Sequence, residues 1–77
     1  MLARMGLLPE ERAATVRIVR PVDIHGDRYV DLQVELDDAR SEPRTGRVPA
    51  GECPGDLAPG DHVTIRFVLG VMVKITR

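Results

Sequence analysis

The side chains able to do chemistry in this 77-residue chain are few, and their spacing decides what they can do. Two histidines sit beside carboxylates, His25 with Asp23 and Asp27, and His62 directly after Asp61. General acid–base catalysis needs such a pair held in hydrogen-bond reach beside a substrate pocket, and adjacency in the chain does not supply that. His25 is expected to be a turn residue and His62 a strand-edge residue, so no catalytic residue is assigned and no enzyme is expected. The only cysteine, Cys53, precedes Pro54 with Glu52 and Asp56 close by, charges that raise a thiol pKa and leave it inert. A lone cysteine makes no intramolecular disulfide and argues against a zinc site of the two-pair kind. Asp37, Asp38 and Glu42 share a loop but lack the glycine and ligand order of an EF-hand, so a solvated acidic turn is expected there. Neither a metal nor another cofactor is called for.

Binding is the remaining chemistry, and its cue is arginine. Arg17, Arg20, Arg28, Arg44, Arg47, Arg66, Lys74 and Arg77 could together track a nucleic-acid backbone. Two features oppose this. Single-strand binders stack bases on aromatic platforms, and the chain has one tyrosine, Tyr29, and one phenylalanine, Phe67, the latter in a core register. Asp31 and Glu35 stand among the arginines and repel phosphate. The competing expectation is a lattice of cross-strand arginine–carboxylate pairs on a solvated face, each worth about 0.2–1 kcal/mol. With 30% charged residues and a net charge of −1, no global field draws the protein to polyanions, so any such binding must be local.

The elements that position these groups follow from periodicity. From Thr15 the apolar residues Val16, Ile18, Val22 and Ile24 fall on even positions, a half-buried strand. Pro21 interrupts it and should sit at a bulge, a bend or an unpaired edge, since proline has no ladder donor. His25-Gly26-Asp27 is a turn, with glycine supplying a positive φ. The next strand alternates most cleanly, with Val30, Leu32, Val34 and Leu36 on one face and Tyr29, Asp31, Gln33 and Glu35 on the other. A polar turn region over residues 37–43 precedes a short third strand, Arg44 to Val48. The prolines and glycines of residues 49–61 exclude regular structure, leaving Leu57 as a plug for one end of the core. Val63, Ile65 and Phe67 then alternate inward, Leu69-Gly70 turns the chain, and Val71, Val73 and Ile75 continue the same face. Residues 1–14 form a separate N-terminal tail or a short helical turn opening at Pro9. Residues 15–77 form the one domain.

A long bent first strand, a strong second, a short third, a Pro-Gly-Asp-x-Val phrase leading into the fourth and a closing hairpin resemble the OB-fold, the small Greek-key barrel. The expected fold class is therefore all-β, a five-stranded OB-like barrel. The chain departs from that pattern in its connector, which has no room for the helix many OB domains carry between the third and fourth strands. What the resemblance implies is a ligand surface over the second and third strands flanked by the first and last hairpin turns. Carried onto this chain, the surface comprises His25, Arg28, Tyr29, Asp31, Gln33, Arg44, Arg47 and the turn Val68-Leu69-Gly70.

Size bounds these expectations, because a chain this short buries only about 60% of its unfolded surface and leaves little room for a water-excluded active site. The opening residues are too short and too interrupted by Arg4 for a signal segment, and no apolar run approaches a membrane span. A soluble cytoplasmic binding module is expected. Its partner is single-stranded nucleic acid or, alternatively, another protein met through Leu2, Met5, Leu7 and Leu8 or through the last strand. If that strand fails to close onto the first, its apolar edge calls for a second chain, so monomer and homodimer both stand.

Overall fold

The computed structural model describes residues 9–77. Five antiparallel strands make up most of it: β1 (Glu10–Ile24), β2 (Asp27–Leu36), β3 (Ala39–Pro49), β4 (His62–Val68) and β5 (Val71–Thr76), with one 3-10 turn at Ala50–Glu52. Hydrogen bonding orders them β3-β2-β1-β4-β5 in a single sheet. The protein is all-β, as the alternation predicts. Among the described residues no helix is long and apolar enough to cross a membrane.

Two of the hairpins use turns with positive φ at both central residues, 51° and 88° at His25-Gly26 and 53° and 79° at Leu69-Gly70. That geometry matches the right-handed twist of the strands it joins. Both turns lie where the glycines place them.

The first strand begins at Glu10, not at Thr15, and the helical turn expected at Pro9 is not formed. Residues 10–15 pair with β4, from Glu10 opposite Phe67 to Thr15 opposite His62, and this ladder outweighs a weak local helix start. The apolar residues Leu2, Met5, Leu7 and Leu8 lie outside the described residues. Pro21 stands opposite Val30, beyond the last residue of β1 that pairs with β4, so one side of its backbone faces no strand. That is the edge setting proline requires.

The third strand is longer than expected. Only Asp37 and Asp38 form the turn, because Ala39 pairs with Leu36 and β3 then runs on to Pro49. Arg40, Ser41, Glu42 and Pro43 are exposed within it, where the register slips against β2. Charge and proline on an exposed stretch discourage pairing with other chains.

Two bulges overturn the simple even-and-odd assignment of faces. Val16 pairs with Val34 and Ile18 with Gln33, so Arg17 is an extra residue that flips every later side chain of β1. Ile18 is consequently 48% exposed, and Val19 packs on the core instead. In β5, Lys74 pairs with Arg66 and Met72 with Phe67, leaving Val73 as the extra residue. Met72 is buried and Val71 is 60% exposed, the reverse of the expected order.

The core lies between the two halves of the curled sheet. Val16, Val34, Leu36, Val48, Ile65 and Ile75 are fully enclosed there, and Leu57 packs against them from the connector as the plug expected of it. The edge strands β3 and β5 pack against each other without a hydrogen-bonded ladder, and β5 does not pair with β1. The expected closure is thus replaced by an approach of two edges. Gly46 permits it, since a Cβ at that position would lie 2.9 Å from the Cβ and Sδ of Met72.

The connector is fastened at two points. Gly60 donates its N–H to the Val16 carbonyl at 2.8 Å and Val16 returns one to Asp61 at 2.9 Å. Arg77 reaches Asp56 at 2.8 Å and Asp61 at 2.9 Å, tying the residue after β5 to the same loop. Hydrogen bonds from Arg77 hold both carboxyls below the usual carboxylate range. A depressed folded-state pKa contributes stability that is complete above the unfolded value of about 3.9 and is lost as pH falls through the folded one. The urea midpoint is therefore expected to fall as pH drops from about 5 to 2, and to fall less steeply in Arg77→Ala. Equal acid slopes for the two proteins would show that the clasp contributes nothing.

Candidate functional site

The outer face of β1, β2 and β3 carries three rows of side chains set by strand register. Ile18, Gln33 and Thr45 form one row, Arg20, Asp31 and Arg47 the next, and Val22, Tyr29 and Pro49 the third. The first two rows border a shallow groove of about 470 Å³, with Leu32 and Gly46 in its floor. It runs across β1, β2 and β3. Its walls combine one exposed aliphatic side chain with guanidinium, carboxylate, amide and hydroxyl groups.

The electrostatics of this face are mostly paired. Arg47 donates Nε and Nη2 to the two oxygens of Asp31 at 2.6 and 3.0 Å, a two-point contact. These hydrogen bonds, with a smaller contribution from the charge on Arg20, hold the Asp31 carboxyl below the usual carboxylate range. Next to the groove, Arg17 is paired with Glu35. The lattice of arginine–carboxylate pairs is present, therefore, and it neutralises both acids of the face. Arg20, Gln33 and Thr45 enter no side-chain hydrogen bond or ion pair among the described residues.

Of the positions expected on a ligand surface, Tyr29, Asp31, Gln33 and Arg47 share this face and the others do not. Arg44 stands opposite the buried Val34, on the core side of β3, with its guanidinium 5.6 Å from the centre of the Phe67 ring. It caps an end of the core through a cation–π contact and is not part of the face. Arg28 pairs with Asp23 at 3.6 Å near the tip of the first hairpin. His25 follows Ile24, and Leu69 follows the part of β4 that pairs with Glu10, so the two turns lie at opposite ends of β1. Neither lines the groove.

Ile18 and Thr45 are side chains of the groove that the sequence reading leaves out of binding altogether, and Arg20 enters it only as one of eight basic residues, not as a member of the ligand surface. For Ile18 and Arg20 the signal is the adjacent apolar pair Ile18-Val19, which breaks the alternation that runs from Thr15; nothing in the sequence marks Thr45. Such a break is the trace of a bulge.

The remaining candidates lie away from the groove. His62 lies 3.3 Å from the Thr15 hydroxyl at the start of β4, and Asp61 is engaged by Arg77 and by the Ala58 N–H. Cys53 borders a second hollow of about 390 Å³ between the first hairpin and the connector, beside Val19, Val30 and Leu57. Its thiol is pushed up, but by burial and not by Glu52 or Asp56. Asp37, Asp38 and Glu42 do not gather, and no three His, Cys, Asp or Glu side chains among the described residues are placed to hold a metal ion.

Compared with known proteins, the chain matches no family model, no curated protein and no solved structure.

Proposed function

We propose that the protein is a noncatalytic binding module of OB-like design whose ligand, a single-stranded stretch of nucleic acid, lies across the outer face of β1, β2 and β3. The observation that carries this reading is the bulge at Arg17, which turns Ile18 outward between Arg20 and the free Gln33 and Thr45 donors. In the OB arrangement the face of the second and third strands is where oligonucleotides lie. Guanidinium groups can follow the phosphates of a strand, and the exposed Ile18 offers a base an apolar contact in place of an aromatic platform. Tyr29 adds a stacking surface in the adjoining row. The face carries Arg17, Arg20 and Arg47 against Asp31 and Glu35, a net of +1 by that count, although the chain as a whole carries −1. Local excess, not global charge, recruits the ligand.

A second reading is favoured by the β4–β5 hairpin, where Leu69 and Val71 are 64% and 60% exposed beside a strand edge without a ladder partner. Such an edge suits assembly with another chain.

One set of samples distinguishes the two. Titrating isotopically labelled protein with oligothymidylate and oligouridylate of about 12 nucleotides at low salt is expected to shift the amides of Ile18, Arg20, Gln33, Thr45 and Arg47. Unmoved signals on that face would remove the nucleic-acid reading. Light scattering on the same samples is expected to give a monomer mass, and a dimer mass would favour the assembly reading.

A further inference from the structure

Asp31 occupies the centre of the proposed binding face, in a row with Arg20 on β1 and Arg47 on β3. Its carboxylate takes the Nε and Nη2 donors of Arg47 at 2.6 and 3.0 Å, the same two-point fork that guanidinium offers to phosphate. The pair is not locked in the interior, since the side chains are 49% and 33% exposed for Arg47 and Asp31. An anion arriving from solvent can reach the fork, but it meets a carboxylate already there.

We propose that Asp31 is a built-in competitor for the anionic ligand, an intramolecular phosphate mimic that restrains binding at the Arg20–Arg47 row. The inference rests on the nucleic-acid reading of this face. Its physical content is a charge count for one row of side chains. With Asp31 ionised the row carries +1, two arginines less one carboxylate, and removing that charge leaves +2 and a guanidinium no longer held by a carboxylate. Arg20, Gln33 and Thr45 already offer unpaired donors around the same groove, so a freed Arg47 would add a phosphate contact to a surface otherwise ready for one. Glu35, the other acid of the face, stays paired with Arg17 and is unaffected.

Each added cation–phosphate contact to a single strand steepens the slope of log K against log salt by about 0.7. Asp31→Asn is therefore expected to bind fluorescein-labelled oligothymidylate of about 12 nucleotides some fivefold to tenfold more tightly at about 50 mM salt, and about threefold more tightly at 200 mM. Asparagine keeps the shape and one acceptor for Arg47, and Asp31→Ser provides a second variant without the charge. The control is Asp23→Asn, which makes the same change in net charge at the Arg28 pair near the hairpin tip and is expected to alter affinity less than about twofold.

Three results are distinguishable by anisotropy titration. Tighter binding by both Asp31 variants but not by Asp23→Asn supports the proposal. If the wild type binds and the Asp31 variants bind equally or more weakly, or if Asp23→Asn gains as much as they do, the competitor role is overturned and the face reading stands. Should neither wild type nor Asp31→Asn bind at about 50 mM salt, the face reading itself fails and carries the competitor role with it.

Discussion

Met72→Ala is expected to destabilise the protein by about 2–5 kcal/mol, whereas Val71→Thr, one residue away, should cost no more than about 0.5 kcal/mol. Met72 is 3% exposed and Val71 60% exposed, because the bulge at Val73 reverses the faces of β5 before the hairpin turn. Truncating Met72 removes buried contacts and leaves a cavity between the edges of the sheet. Thr keeps the β-branched shape at an exposed position, so the strand loses little. For a domain whose whole stability is on the order of 5–15 kcal/mol, the first substitution takes a large share. Urea denaturation of the two variants checks this directly. A larger loss in Val71→Thr than in Met72→Ala would mean that β5 keeps unbroken alternation and that the bulge is wrong.

Gly46→Ala is expected to cost about 1–3 kcal/mol by overpacking, a drop in Tm of about 4–8 °C for each kcal/mol in a domain of this size. The added methyl would stand 2.9 Å from Cβ of Met72, an atom tied to the β5 backbone, as well as against the more adjustable sulfur and terminal methyl. Rotating the end of the methionine relieves only part of the clash, so β3 and β5 must separate. Gly51→Ala is the control. Nothing lies within 4 Å of a Cβ at Gly51 and its φ is not positive, so that change should leave Tm within about 2–4 °C, as for an ordinary surface substitution. Equal melting temperatures for Gly46→Ala and the wild type would show that the edges are not in contact in solution.

Both predictions concern the line where the sheet nearly meets itself, and that line also shapes the proposed site. Leu32 and Gly46 form the floor of the groove, and Gly46 is at the same time the point at which Met72 supports β3 from within. A substitution that pushes β3 away from β5 should therefore disturb Thr45 and Arg47 on the outer face. Gly46 thus links the stability of the sheet to the shape of the groove.

Much of this was legible in the residues alone. Strict alternation over Tyr29 to Leu36 identifies β2 and its faces, because a period of two can satisfy only a half-buried strand. His25-Gly26 and Leu69-Gly70 are identified as turns by glycine at the position that needs positive φ. Tyr29, Gln33 and Arg47 follow as neighbours on the solvent face once the order of strands is granted. Arg44 was not legible in the same way. Its parity with Val48 places it on the core side, but a charged residue on that side becomes intelligible only when the Phe67 ring beneath it is known.

The all-β class, the turns and the inner face of β2 follow from the order of residues, since they depend on local periodicity and on the backbone freedom of glycine. The tertiary structure decided the rest: the start of β1 at Glu10, the outward flip of Ile18 and Val71, and the meeting of β3 with β5 through Gly46 and Met72. The physical reason is that a bulge inserts one residue into a ladder without changing composition, yet reverses every side chain beyond it. Its position is fixed by which strands must pair and where the sheet must bend, and those are properties of partners distant in the chain.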